Sequence, residues 1–340
     1  MKRLWFIVVF LLGTLPAVAH GDELDVTEII YEHTGDAYSW PLFSWGDREV
    51  SLPLPLIVRS ADGVWQCFLS SELPCRGFAI AGEGEEYAGK VVELTPDGPV
   101  RPLDLSITRN VLSLLMSSAL LVLLVLLCAR WYRRHDVLKE APSGIAALLE
   151  PLIVWVEDEI VKDAIGPDYK RYSPYLLTAF FFILLNNLLG ILPFFPGGAN
   201  LTGNIAVTLV LALCTFLATN LFGNRHYWKE TLWPDVPVFL KAPLPLMPLI
   251  EIVGLFTKPF SLMIRLFANI FAGHAMLIGL LCVIFVTAKM GAVINGSMMA
   301  VSVLLGVFMD CLEVLVAFIQ AYVFTMLSAV FIGASRQTNH

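Results

Sequence analysis

Charged side chains are scarce in this chain. Asp, Glu, Lys and Arg make up 15% of its 340 residues, against 57% hydrophobic residues, whereas soluble domains carry roughly 25% charge. That imbalance excludes a soluble globule. No Gly-x4-Gly-Lys-Ser/Thr loop occurs, so nothing cradles a nucleotide phosphate. No Cys/His spacing suits a metal ion, and no basic surface suits nucleic acid. No cofactor and no catalytic constellation is expected. Cysteine is sparse at six residues. Cys67 and Cys75 lie in an N-terminal segment where an oxidising compartment would permit a disulfide. Cys128, Cys214, Cys282 and Cys311 lie in apolar runs and read as small packing residues.

What the chain has in abundance is apolar length. Several runs approach or exceed the ~20 residues that a helix needs to cross ~30 Å of hydrocarbon. The fold expected is an all-α polytopic membrane protein with a small β-rich exported N-terminal segment. About five membrane helices are expected, with one amphipathic surface helix.

Residues 1–19 read as a secretory signal. Lys2 and Arg3 form its positive start, Leu4 to Leu15 its apolar core and Ala17-Val18-Ala19 its cleavage site. The apolar core is too short to span a bilayer, and no charged stop-transfer cluster follows. Residues 20–105 form the exported segment and carry sixteen acidic and five basic side chains, a net of −11. Ser51–Arg59 and Gly63–Leu69 read as strands flanking a turn at Ser60-Ala-Asp-Gly63, a hairpin. Residues 106–340 form the membrane domain, with a net charge of +2.

The first membrane helix spans 107–129 and is closed by Arg130, Arg133 and Arg134, which place its far end in the cytoplasm. Residues 143–165 carry Ile145, Leu148, Leu149, Leu152, Val156 and Ile160 at helical spacing opposite Glu150, Glu157, Asp158 and Lys162. This is the amphipathic helix, expected along the cytoplasmic surface or packed on a soluble partner. Residues 174–195 and 203–223 cross next, joined by a Pro/Gly-rich loop without basic residues. The loops 130–171 and 224–246 carry seven and three basic residues, placing both in the cytoplasm. Asn204 is suited to capping its helix.

The last two segments, 247–288 and 297–333, would extend ~63 Å and ~56 Å as single helices. Each is about twice the hydrocarbon thickness, which predicts steep tilt rather than four short crossings. Gly291, Asn295 and Gly296 mark the turn between them, and Pro259 is a candidate kink.

Polar residues in these segments are patterned. Glu251, Lys258 and Arg265 recur every seven positions and so share a stripe, with Asn269 one turn further. Arg265 is the costliest of them. An arginine side chain stays charged at physiological pH, and placing it in a bilayer costs roughly 2.5–3.5 kcal/mol even on lenient scales. On the last segment Asp310, Glu313 and Gln320 stand out, Glu313 and Gln320 sharing a face ~10.5 Å apart. If Gln320 sits beside Arg265 in an antiparallel hairpin, His274 and Glu313 fall at depths within ~3 Å of each other. An imidazole and a carboxylate at matched depth suit proton exchange. Blander readings stand beside this. Glu251 and Lys258 suit an interfacial pair, Asp310 a packing feature, and Asn186 and Asn187 a bond between helices. Arg265 would also suit a structural ion pair with Glu313 or Asp310.

These residues carry a resemblance to a known family. Lys258-Pro-Phe-Ser-Leu-Met-Ile-Arg-Leu-Phe-Ala-Asn-Ile-Phe-Ala-Gly-His274 resembles the signature helix of the a subunit of the rotary F-type ATP synthase. Asn187-Leu-Leu-Gly-Ile-Leu-Pro193, Glu313 to Gln320 and Ala321-Tyr-Val-Phe324 are similar to further segments of it. The likeness covers about residues 143–335. It implies that Arg265 is the essential arginine, with Asn269 its neighbour and Gln320 its partner on the last helix. It implies proton translocation through two half-channels to the carboxylates of a c-subunit ring, with Asn187, Glu251, Lys258 and Asp310 as candidate channel-lining residues. Implied partners are that ring, b-type peripheral stalk subunits, the other synthase subunits and the lipid bilayer. Nucleotide chemistry would belong to those other subunits. The implied location is a bacterial inner membrane, with the mature N-terminus outside and the C-terminus cytoplasmic. Many bacterial relatives carry Glu at the position of His274 and His at that of Glu313, so the pair is exchanged here. The resemblance gives residues 20–105 no role. A different class, an ion-coupled secondary transporter in which Arg265 binds an anionic substrate, would call for paired repeats with interrupted helices. No internal repeat is found.

Overall fold

The computed structural model describes residues 35–45, 48–82, 87–95, 98–136, 140–192, 195, 197–232 and 246–336. The signal expected at 1–19, residues 20–34, and Pro193, Phe194 and Pro196 of the expected loop lie outside the described residues. The chain divides into two units, 1–116 with 192–199, and 117–191 with 200–340.

The first unit is β-rich. Strand β1 (Ser39–Trp45) pairs antiparallel with β2 (Arg48–Pro53). A second sheet has the order β4-β3-β8, built from β3 (Pro55–Arg59), β4 (Trp65–Leu69) and β8 (Leu103–Asp104). A third has the order β5-β6-β7, from β5 (Phe78–Ile80), β6 (Val91–Thr95) and β7 (Gly98–Val100). The expected hairpin is present. Pro55 faces Leu69 and Arg59 faces Trp65, across a turn in which Gly63 takes φ +81° and donates to the Ser60 carbonyl, a conformation that glycine adopts without steric cost. Residues 51–53 belong instead to β2.

Alternation along β3 sends Leu56 and Val58 inward to a core with Tyr38, Phe68, Leu73, Phe78 and Val91. At its edge Tyr38 donates a 2.5 Å hydrogen bond to Asp104. Burial, then the Asp104 carboxylate, push the Tyr38 hydroxyl well above its ordinary value. Burial would raise Asp104 too, but hydrogen bonds from Ser106 and Tyr38 hold it below the usual carboxylate range. Cys67 and Cys75 are free thiols, both exposed.

The second unit is helical. Helix α1 (Arg109–Arg134) begins in the first unit and runs into it. Helix α2 (Ile145–Trp155) continues through a π-helical stretch, Val156–Lys162, and a final turn, Asp163–Ile165. Gly166 at φ +76° and Pro167 break the chain before α3 (Tyr169–Ile191). Then come α4 (Ile205–Leu221), α5 (Arg225–Leu232), α6 (Leu246–Thr287) and α7 (Ala292–Arg336). Asn204 caps α4 as expected, its side chain accepting from Ala206 N–H at 3.0 Å.

Four stretches are long and apolar enough to cross a membrane: 109–134, 145–191, 249–287 and 293–336. Helix α4, with 17 residues, is a shorter apolar helix at the lower end of the roughly 17–25 residues with which helices cross a bilayer. α6 and α7 are each one continuous helix of 42 and 45 residues, or ~63 and ~68 Å. Pro259 sits inside α6 without ending it.

Three expectations need correction. The stripe on 143–165 buries its second half only: Val156 and Ile160 are in the core, but Ile145 and Leu148 are exposed. The π-helical turn is the cause, because its i→i+5 spacing brings Val156 over Val161 and Ile160 over Ile165, and all four are buried. Trp155 then stacks on Phe318 and Tyr322 of α7. Secondly, the turn between α6 and α7 needs Gly291 alone, at φ +101°. Asn295 and Gly296 lie within α7, and Asn295 accepts a 3.2 Å hydrogen bond from Thr287 of α6. Thirdly, Cys214 and Cys311 are exposed rather than packed.

Near the end of α7, Gly333 lies against the backbone carbonyl of Ala164, where a Cβ has no room. Gly333→Ala should therefore push the last turn of α2 from α7 and cost about 1–3 kcal/mol. Thermal unfolding of the purified protein checks this, with Gly306→Ala, at an open position, as the control.

Candidate functional site

Helices α6 and α7 pack against each other and are joined by a short 3-10 turn, Ala288–Met290, and Gly291, so they run antiparallel. Their register is fixed by one close approach. A Cβ built on Gly273 would come 2.7 Å from Oε1 of Glu313, so the Glu313 carboxyl lies directly over Gly273. His274, the next residue, is half-buried, as is Glu313. The imidazole and the carboxylate thus occupy neighbouring levels of the two helices. Both Glu313 carboxyl oxygens are buried and lack a hydrogen-bond partner among the described residues. An unpaired buried carboxylate is expensive, and such groups are kept where chemistry uses them.

From that contact, eight residues back along α6 and eight forward along α7 are each ~12 Å. Residue 321 then lies level with Arg265, and Gln320 beside it. Gln320 is buried, at 4% exposure, and turned into the bundle. Arg265 is exposed on the outer side of α6, and the two do not hydrogen-bond. Among the described residues Arg265 has neither an ion-pair nor a hydrogen-bond partner, so the structural ion pair with Glu313 or Asp310 is not formed. Small residues flank it on the same outer face, Ser261 at i−4, Ala268 at i+3 and Ala272 at i+7, with Asn269 at i+4 also exposed. A neighbouring helix can approach such a face closely.

The remaining candidates are spread over the bundle. Asn187 of α3 is buried and donates to the Ala317 carbonyl of α7 at 3.3 Å, a bond between helices that leaves its Oδ1 unpartnered among the described residues. Asn186 donates within its own helix to Phe182. Asp310, one turn before Glu313, and Glu251 are half-buried. Lys258 is exposed with its ammonium 5.8 Å from the Phe331 ring.

Lys258 also borders a small, narrow cleft, with Thr215, Thr219, Asn220 and Tyr227 among its lining residues. A chain of hydroxyls leads inward from it. Tyr175 Oη is 2.9 Å from Thr215 Oγ1, which is 3.1 Å from Ser328 Oγ of α7. Sequence reasoning missed these three residues and Gly273, because single hydroxyls and glycines in apolar helices are common and their partners lie far along the chain.

A family model described as ATP synthase A chain matches residues 114–333. The chain belongs to this family. Curated relatives agree. Over 283 residues it is 38% identical to ATP synthase subunit a of Chlorobium phaeobacteroides (strain DSM 266), spanning 76% of this chain and 79% of that one. It is 41% identical over 236 residues to ATP synthase subunit a 2 of Chlorobium luteolum, spanning 69% and 67%. Over 299 residues it is 38% identical to ATP synthase subunit a of Myxococcus xanthus, spanning 86% and 90%. The match to the ATP synthase A chain takes in every residue considered above as a site candidate. A separate domain model of unknown function covers 29–105, the acidic β-rich segment.

Proposed function

We propose that this chain is the stator subunit that carries protons past a rotating ring of c subunits, with Arg265 separating two aqueous half-channels. The observation that carries the reading is the exposure of Arg265 on a membrane helix without a partner among the described residues. A charge left against lipid costs roughly 2.5–3.5 kcal/mol or more, and a ring carboxylate arriving at the small-residue face around it would relieve that cost. His274 and Glu313 form the proton-exchanging pair at the entry side, ~12 Å along the helix from Arg265. Gln320 and Asn269 stand at or near the level of Arg265, and Asn187 and Asp310 line the approach. The cleft at Lys258, with Glu251 half-buried on the same helix, opens the other half-channel, and the hydroxyls of Thr215 and Ser328 extend it inward.

Each proton enters from outside, neutralises a ring carboxylate and allows it to face lipid. After almost a full turn the carboxylate meets the other channel and releases the proton into the cytoplasm. The chain itself performs no nucleotide chemistry. Its place is a bacterial inner membrane, beside the ring, b-type stalk subunits and the rest of the synthase, with the signal at 1–19 removed and the β-rich segment exported. A gentle-detergent purification from native membranes tests the assignment. A small subunit with a membrane-buried carboxylate should co-purify in multiple copies; recovery of the chain with no such subunit would contradict it.

A further inference from the structure

The sheet β4-β3-β8 turns a continuous apolar face outward. Its pairing sets the face out in rows. Trp65, Arg59 and Leu103 lie opposite one another across the three strands. Cys67 lies opposite Ile57, and Leu105 N–H bonds the Ile57 carbonyl. Leu69 lies opposite Pro55, whose carbonyl accepts from Ile107 N–H. Trp65, Leu69, Leu103 and Leu105 are 43–61% exposed. No carboxylate stands on these outward positions, although residues 20–105 carry sixteen acidic side chains. The single charge is Arg59, its guanidinium 6.0 Å from the Trp65 ring.

This face is joined to the membrane without a linker. The hydrogen bonds of β3 to residues 105 and 107 continue to Arg109 N–H, which bonds the Ala37 carbonyl, and Arg109 is the first residue of α1, one of the stretches apolar and long enough to cross a bilayer. The row with Leu69 and Ile107 is therefore the one next to the start of α1, and the row with Trp65 and Arg59 is four strand residues, ~13 Å, further along the sheet. Along that distance the side chains change from aliphatic to aromatic and cationic. A lipid layer changes the same way from acyl chain to glycerol and phosphate; tryptophan favours that boundary, and an arginine can lay its stem on apolar surface with its charge in the polar layer.

We propose that this face binds a phospholipid of the leaflet that α1 enters, its acyl chains along Leu69, Ile107 and Leu105 and its phosphate at Arg59. The acyl chains cover the exposed aliphatic rows, and the guanidinium, whose Nε donates to the Gly63 carbonyl at 3.2 Å, matches the phosphate by charge and by its terminal N–H donors. Its lack of carboxylates suits this face to a lipid surface with anionic headgroups, which repels the acidic side chains elsewhere in the segment.

The test places a nitroxide on Cys67, in the middle of the face, in the full chain within its complex. The other exposed cysteines, Cys75, Cys214 and Cys311, are replaced. The host is a nanodisc of phosphatidylcholine and phosphatidylglycerol. A matched sample carries the label on Cys75, on the 3-10 helix Ser70–Arg76 and off the sheet. Collision with oxygen should exceed collision with an aqueous nickel chelate at Cys67, and the order should invert at Cys75. A Cys67 label as open to the nickel chelate as the Cys75 label overturns the proposal. So does a label shielded from both reagents, which would mean a protein surface covers the face. A second measurement needs no cysteine change: brominated lipid should quench the unmodified complex more than Trp65→Phe, and equal quenching counts against the lipid. Neither readout involves proton flow, so the reading of Arg265 stands or falls separately.

Discussion

Arg265→Ala is expected to abolish ATP synthesis driven by a proton gradient, while the complex still assembles. The assembly half follows from placement. Arg265 is exposed on the outer side of α6 and holds no partner within the described chain, so its loss leaves no buried carboxylate of this subunit uncompensated. The functional half follows from charge. A proton crossing the membrane potential gains about 2.3 kcal/mol per 100 mV, several times thermal energy, and that gain is lost if the half-channels communicate directly. On the proposed reading, a permanent cation between them would repel protons and give each passing ring carboxylate a counterion. Lysine is a poor replacement. It lacks the planar fork, and removal from water favours its neutral form, so Arg265→Lys should fall close to the alanine variant. Gradient-driven synthesis in vesicles, with subunit stoichiometry measured on the same sample, checks both halves. Retained synthesis in the alanine variant would count decisively against the role.

The second large effect concerns His274 and Glu313. With the Glu313 carboxyl over Gly273, the acid and the base stand at neighbouring levels of two antiparallel helices. On the proposed reading, their roles would be set by depth rather than by which helix carries which group. Exchanging them, His274→Glu with Glu313→His, keeps one acid and one base there. Either single change leaves two acids or two bases, whose mutual repulsion disfavours the charged form of one. The double variant should therefore retain more proton-driven synthesis than either single variant. Equal loss in all three would remove the pairing from the account.

Much of this arrangement is legible from residue spacing. The 3.6-residue period and the lack of breakers gave α6 and α7 to within a few residues, and Asn204 marked the start of α4 by its capping chemistry. Taking Gln320 as level with Arg265 placed Glu313 near the depth of His274, because rise per residue is the same on both helices. What spacing could not show depended on irregular backbone or on distant partners. The π-helical turn at Val156–Lys162 re-aimed the apolar stripe of α2, and no local signal announces such a turn. The Gly273 contact and the Tyr175–Thr215–Ser328 hydroxyls join positions as much as 113 residues apart. Cys214 and Cys311 were misread for a related reason. In a membrane helix an apolar neighbourhood does not tell the packed side from the side facing outward.

The most direct measurement is a density map of the intact complex in a bilayer mimic. The account expects the Arg265 guanidinium at mid-membrane depth, within ion-pairing distance, about 4 Å, of a carboxylate on the adjacent ring. A guanidinium standing in bulk solvent, or separated from every ring carboxylate by another helix, would contradict it.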